Sequence, residues 1–188
     1  MIPSQGEAMA IHAKHGTGVY IVRHCQAVAM AAKIMADEAV RRGHAVDEKA
    51  VIAGALLHDI GRSRSQTVMH GALGAEILEK EGVDKKVVEI VRRHVGAGIS
   101  SEEAKKLGLP EFDYIPRTLE ERIVCFADKM VDADKVRPFG EEVHRFTLKS
   151  HDVGRLLVLR RGLAEDLGVD PERLIFDKIK ESGSKVAK

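Results

Sequence analysis

The segment VIAGALLHDIGR, residues 51–62, decides how this chain is read. Its first seven residues are apolar or small on nearly every helical face, so the helix that carries them is buried. That helix ends by delivering an imidazole and a carboxylate, His58 and Asp59, into apolar surroundings. Burying such groups is costly unless both are partnered. Two accounts are open. The pair orders the following loop through hydrogen bonds, or it binds a divalent metal, for which neutral His nitrogen and Asp oxygen are ordinary ligands.

Working outward, helix signals punctuate the whole length. Asp47 caps the segment from Glu48, and a polar stretch from Arg62 to Gln66 makes a loop. Upstream, Ser4 and Glu7 form a capping box, Gly16 ends a short first helix, and Thr17 precedes a long Ala-rich helix stopped by Gly43. Downstream, a helix runs near HGALGAEILEKEG and Asp84 caps KKVVEIVRRHVG. Ser100 with Glu103, and Thr118 with Glu121, are two further capping boxes. Gly108 with Pro110 closes the first of these helices, and Pro138 is expected to terminate the second, LEERIVCFADKMVDADK. Two more helices are expected, around Arg155 to Leu167 and after Asp170 with Pro171 at its first position. There is no alternating pattern longer than four residues and no repeat; only SGSKVAK at the end reads as a frayed tail. The expected fold is all-α: a single-domain helical bundle over residues 1–188, with a motif-bearing core at 19–132 and a C-terminal helical extension at 139–180.

Composition narrows the class. At 188 residues the chain suits one domain that buries its core without disulfides. Lys and Arg number 30 against 29 Asp and Glu, for a net charge of +1, which lacks the basic footprint of a dedicated nucleic-acid binder. Two cysteines, Cys25 and Cys125, fit a reducing compartment and read as buried small apolar residues. No apolar run suits a membrane span and the start lacks a signal-peptide core, so the expected setting is cytoplasmic. Aromatic residues make up 4% of the chain and there is no Trp, so the core must be aliphatic and Ala-rich. Absent Asn, with charged residues at 31%, is a hyperthermophile tendency.

Nine histidines make placement informative. His24 lies on the Ala-rich helix, His70 opens the helix after the loop, His94 ends VVEIVRRH, and Asp128 lies within the apolar stripe of RIVCFADKMV. Taken singly, each has an ordinary account: His24 as a core histidine, His70 as a cap, His94 as a cation at a helix C-terminus. Asp128, amid Val124, Phe126, Met130 and Val131, needs a partner. A bundle can project all of them into one cavity. His12, His15, His44, His144 and His151 read as surface residues. Lys85, Lys86, Arg92 and Arg93 form a modest basic cluster, either a solvated face or a guide for anions.

In order, His24, His58-Asp59, His70, His94 and Asp128 resemble the signature of the HD-domain superfamily of metal-dependent phosphohydrolases, and LLHDIGR resembles its HDIG version. The two extra histidines are similar to the bimetallic branch, and MHGALGAEILEKEGVDKKVVEIVRRHVG resembles the YqeK-like diadenosine tetraphosphate hydrolases. An uncharacterised archaeal branch of HDIG proteins is the nearest overall likeness. Resemblance covers roughly Val19 to Asp132. The run Lys129, Met130, Val131, Asp132 departs from the YqeK-like Ile-Glu-Pro, the GYP motif of cyclic-di-GMP enzymes is absent, and from Phe139 onward no motif is matched.

The resemblance implies one or two divalent metals (Fe, Mn, Co, Ni or Zn, with Mg possible). His24, His58, Asp59 and Asp128 would hold one, and His70 and His94 the second, with Asp59 bridging. Two such metals activate water for attack on phosphorus and clamp a phosphoryl oxygen. Arg62 is either a phosphate contact or a solvated arginine beside Arg64. Asp132, one helical turn after Asp128 and on the same face, either orients a ligand, moves a proton to the leaving group, or makes a salt bridge. The expected function is hydrolysis of a phosphate ester or anhydride of a nucleotide or dinucleotide polyphosphate. The alternatives are a non-catalytic nucleotide-binding module that keeps the metal site, and a structural helical protein. The expected partner is a small phosphorylated substrate, with a homodimer as the default assembly.

Overall fold

The computed structural model describes residues 1–148 and 152–183. Among them the helices are α1 (Gln5–Lys14), α2 (Val19–Arg41), α3 (Glu48–Leu57), α4 (His70–Lys80), α5 (Lys85–Arg93), α6 (Ser101–Lys106), α7 (Leu119–Lys129), α8 (Phe139–Leu148), α9 (Val153–Leu167) and α10 (Pro171–Glu181). A 3-10 turn over Ile60–Ser63 follows α3. A two-residue-a-side antiparallel ribbon, β1 (Val131–Asp132) and β2 (Lys135–Val136), separates α7 from α8. The fold is all-α, as the sequence predicts. Residues 184–188 of the expected frayed tail, and His151, lie outside the described residues.

Local chemistry explains most boundaries. All three capping boxes form, at Ser4/Glu7, Ser100/Glu103 and Thr118/Glu121. Asp47, Asp84 and Asp170 each accept a first-turn amide, satisfying donors that a helix start leaves orphaned. The start of α2 differs from expectation, because Gly18 rather than Thr17 precedes it and no side chain caps it.

One boundary corrects the sequence reading in a way that matters for the site. α7 stops at Lys129, well short of Pro138. The chain then reverses, pairing Val131 with Val136 and Asp132 with Lys135, which buries both valines on one side. Ala133 makes the turn at φ 54°, the one non-glycine left-handed residue among those described. That conformation costs an ordinary L-residue about 1–2 kcal/mol.

α2 packs against α3 and α7, and α3 against α5. Ala31, Ala32, Ala36 and Ala39 on the buried face of α2 let these helices approach closely. Glycines do the same elsewhere: a Cβ on Gly54 would come 2.6 Å from Ile90 of α5. At Gly61, in the 3-10 turn, a Cβ would stand 1.9 Å from the His70 carbonyl oxygen and 2.6 Å from the Gly74 amide. The turn therefore lies flat against α4 only because residue 61 has no side chain. The core is aliphatic, with one stacked aromatic pair, Phe126 on Phe139. Cys25 and Cys125 are buried free thiols. No helix among the described residues is long and apolar enough to cross a membrane.

Candidate metal centre

Five helix ends and faces converge on one point. His24 comes from the first half of α2, and His58 and Asp59 follow the last residue of α3. His70 opens α4, His94 follows α5, and Asp128 lies in the last turn of α7. The six residues singled out from sequence as ligands are thus brought together. Three overlapping groups place one ligand atom per residue within 4.8 Å of the others: His24, His58 and Asp59; His58, His94 and Asp128; Asp59, His70 and His94. Asp59 Oδ1 lies 3.2 Å from His70 Nε2 and 3.4 Å from His94 Nε2. Asp128 Oδ1 lies 2.9 Å from His24 Nε2 and 3.5 Å from His58 Nε2.

The hydrogen bonds on the far side of each ring decide what these contacts mean. In all four histidines Nδ1 donates to a main-chain carbonyl: His58 to Ala55 at 2.8 Å, His70 to Thr67 at 2.6 Å, His94 to Val91 at 2.7 Å, and His24 to Ala133 at 2.8 Å. A neutral imidazole that donates through Nδ1 presents a lone pair at Nε2. The Nε2 atoms of His70 and His94 face each other at 3.0 Å. His58 Nε2 and Asp59 Oδ1, both buried, have no hydrogen-bond partner among the described residues. Lone pairs and carboxylates aimed at one another repel unless positive charge lies among them. The donor set therefore fits divalent metal ions, and main-chain bonds at Nδ1 are the usual outer support of metal-binding histidine.

The electrostatics agree. Burial penalises the charged form of His58, yet Cys25, Asp59 and Asp128 together hold it well above the usual imidazole range. Burial likewise opposes ionisation of Asp59 and Asp128, but His58 at the first and Lys129 at the second keep both well below the usual carboxylate range. Burial dominates at His94 and lowers it to about 4, leaving its ring neutral at physiological pH. Two ionised buried carboxylates draw positive charge into the cluster, and with no metal bound a proton on His58 answers them, beside the neutral ring of His94.

His24, His70, His94 and Asp128 line a cavity of about 740 Å³ together with residues of α6, α8, α9 and the ribbon. Arg62 lines it, spending only Nε on Asp59 Oδ2, at 2.6 Å. Asp132 also lines it, but on the ribbon rather than one turn below Asp128; it is half-exposed and pairs with Arg145 at 3.4 Å. Sequence reasoning missed Lys129, whose buried ammonium binds Asp128 Oδ2 and faces the cavity. Burial pushes this amine down, and Asp128 more than compensates. Its place beside an apolar stripe gave no signal, since a lysine there equally suits a solvated face.

Other expectations resolve plainly. His12 is buried, not superficial, and donates to the Leu56 carbonyl from Nε2 at 2.7 Å. His44 and His144 are exposed, while half-buried His15 meets Glu81. The basic cluster is largely neutralised: Lys86 pairs with Asp47, Arg92 with Glu79 and Glu89, and buried Arg93 with Glu89 and the carbonyls of Asp113 and Ile115.

The sequence model for the HD domain matches residues 21–131. A tRNA (cytidine(56)-2'-O)-methyltransferase of Picrophilus torridus is 39% identical over 178 residues, covering 94% of this chain but 51% of that protein. Its namesake in Thermoplasma volcanium is 38% identical over 176 residues, 93% of this chain and 51% of its own length. The chain thus spans about half the length of these two relatives. An uncharacterized protein of Methanocaldococcus jannaschii is 46% identical over 126 residues, 67% of this chain and 75% of its own. Among solved structures, the HD domain of the L. monocytogenes phosphodiesterase PgpH superposes with a TM-score of 0.54 at 19% identity, covering 87% of this chain and 93% of that one.

Proposed function

The chain belongs to the HD domain family, and from that premise we propose that it is a metal-dependent phosphohydrolase acting on a phosphate ester or anhydride of a nucleotide or dinucleotide polyphosphate. The observation that carries this reading is the convergence of four Nε2 atoms and two carboxylates, each ring oriented by a main-chain carbonyl at Nδ1, into groups whose ligand atoms lie within 4.8 Å of one another. One divalent ion would be held by His24, His58, Asp59 and Asp128, and a second by His70 and His94 with Asp59 shared. The mixed nitrogen and oxygen donors suit Fe, Mn, Co, Ni or Zn better than Mg, which prefers oxygen alone. When bound, such ions supply Lewis acidity and a nucleophilic water at neutral pH.

The chain's own residues do the rest. Arg62 keeps two guanidinium nitrogens for a phosphoryl oxygen while Asp59 fixes its stem. Lys129 adds a positive charge beside Asp128. Asp132, on the cavity wall, receives or returns the proton of the leaving oxygen. Val68, Ile99 and Leu107 offer an apolar surface to a nucleobase. Residues 1–188 act as one unit, with the extension at 139–180 closing the cavity through Arg145, Phe146 and Arg155.

The test is elemental analysis of protein purified without chelator, followed by phosphate release from mononucleotides, dinucleotide polyphosphates, cyclic nucleotides and phosphate-ended tRNA with each metal. About two metals per chain are expected. Asp59→Ala should lose metal and lower turnover at least ~10³-fold, the scale of losing several kcal/mol of charge stabilisation. Protein that takes up no metal sinks the reading. One observation favours a second reading, a nucleotide-binding regulatory module: the matched region is half of two relatives named for another activity. Metal and nucleotide binding without turnover would select it.

A further inference from the structure

The four inward-facing histidines are not held alike. His58, His70 and His94 each donate through Nδ1 to the carbonyl three residues upstream, so the turn that carries the ring also orients it. His24 instead donates to Ala133, 109 residues away, at 2.8 Å. That carbonyl belongs to the turn of the ribbon, whose register is fixed by the Val131–Val136 and Asp132–Lys135 pairs and by the Arg137 amide donating to Met130 at 2.8 Å. The turn residue is the one described non-glycine in a left-handed conformation. Glycine enters that region freely, alanine at some cost, and a β-branched residue hardly at all, so the turn that aims this carbonyl depends on how small residue 133 is.

We propose that Ala133 is a positioning residue for His24, and that its strained turn sets the affinity of the His24–Asp128 half of the centre without touching the Asp59–His70–His94 half. This rests on the metal reading above. The ribbon acts through one bond: it fixes the proton of His24 on Nδ1 and the ring plane, leaving Nε2 toward Asp128 Oδ1. Because Asp132 of the ribbon also pairs with Arg145 of α8, the same turn ties this ligand to the cavity wall.

Two variants test it, read by Zn²⁺ calorimetry and by ¹H–¹⁵N spectra of the histidine rings in Zn²⁺-loaded protein. Ala133→Val places a β-branched residue where it is a conformational outlier and should turn the carbonyl away. It is expected to weaken one of two binding events at least tenfold, matching His24→Ala, and to abolish the protected Nδ1 proton of His24 alone. Ala133→Gly keeps the turn accessible, so both events should stay within about threefold of the parent. The double variant His24→Ala/Ala133→Val should lose no more than His24→Ala alone. Equal weakening of both events by Ala133→Val, or a His24 Nδ1 proton that stays protected in it, overturns the proposal. Absence of Zn²⁺ binding by the parent protein would instead sink the metal reading, while the His24 proton, read in the metal-free protein, would still report on the turn.

Discussion

Arg62 shows how much one bond direction decides at the scale of a residue. Its Nε is committed to Asp59 at 2.6 Å, so the planar fork is held in place on a residue that lines the cavity. Lysine would carry the charge without the fork. Removing the group should forfeit a charge-assisted contact worth about 1.5–3 kcal/mol, or roughly 10–150-fold in kcat/KM. Arg62→Lys should recover only part of this. Steady-state kinetics on whichever nucleotide the protein turns over will check it, with metal content measured in parallel. A variant with full kcat/KM would return Arg62 to the solvated role.

Elements, rather than side chains, set the spacing of the ligands. The 3-10 turn after α3 brings Asp59 to within 3.2 Å of His70, and Gly61 permits that contact because a Cβ there would meet backbone of α4. Main-chain atoms cannot step aside as a flexible side chain can. Gly61→Ala is therefore expected to cost at least the ~1–3 kcal/mol typical of overpacking and to impair metal uptake, read by urea denaturation and metal analysis. At the far end of α2, Glu38 is buried between Arg41 and Arg42. Hydrogen bonding to Arg41, with Arg42 assisting against burial, lowers its pKa from 4.5 to about 2. A depressed carboxylate pKa stabilises the fold above the unfolded value and loses that contribution as pH falls through the folded one. The Tm difference between wild type and Glu38→Gln should thus be constant above pH 5 and shrink between pH 4.5 and 2. A gap that persists at pH 2 contradicts the assignment.

The same elements show what the sequence discloses. His58, Asp59 and Asp128 were legible because polar groups in apolar runs demand partners. The capping boxes were legible because they are local. The ribbon was not: Asp132 continues the helical spacing from Asp128, and the pairing of Val131 with Val136, both buried, is announced by no alternating run in the sequence. His12 and Arg93 looked superficial because their carbonyl partners, Leu56 on one hand and Asp113 and Ile115 on the other, lie far along the chain.

For the whole molecule, the ligands come from α2, the ends of α3 and α5, the start of α4, and α7, so a bound metal cross-links most of the bundle. Saturation at a hundred times Kd adds ~2.7 kcal/mol. For a chain of this size that is roughly 5–10 °C in Tm. Thermal melts with Mn²⁺ or Zn²⁺ should show the rise and EDTA should reverse it; an unchanged Tm would mean that the ions do not bind the folded centre. Three of the four inward-facing histidines draw their orienting bond from their own main chain. No amino-acid exchange can delete a carbonyl, so these rings are insulated from mutation in a way that side-chain partners never are. A scan read by metal uptake should accordingly single out the ligands, the glycine beneath them and the turn at Ala133, whereas exposed Thr67, which gives His70 only its carbonyl, should tolerate exchange.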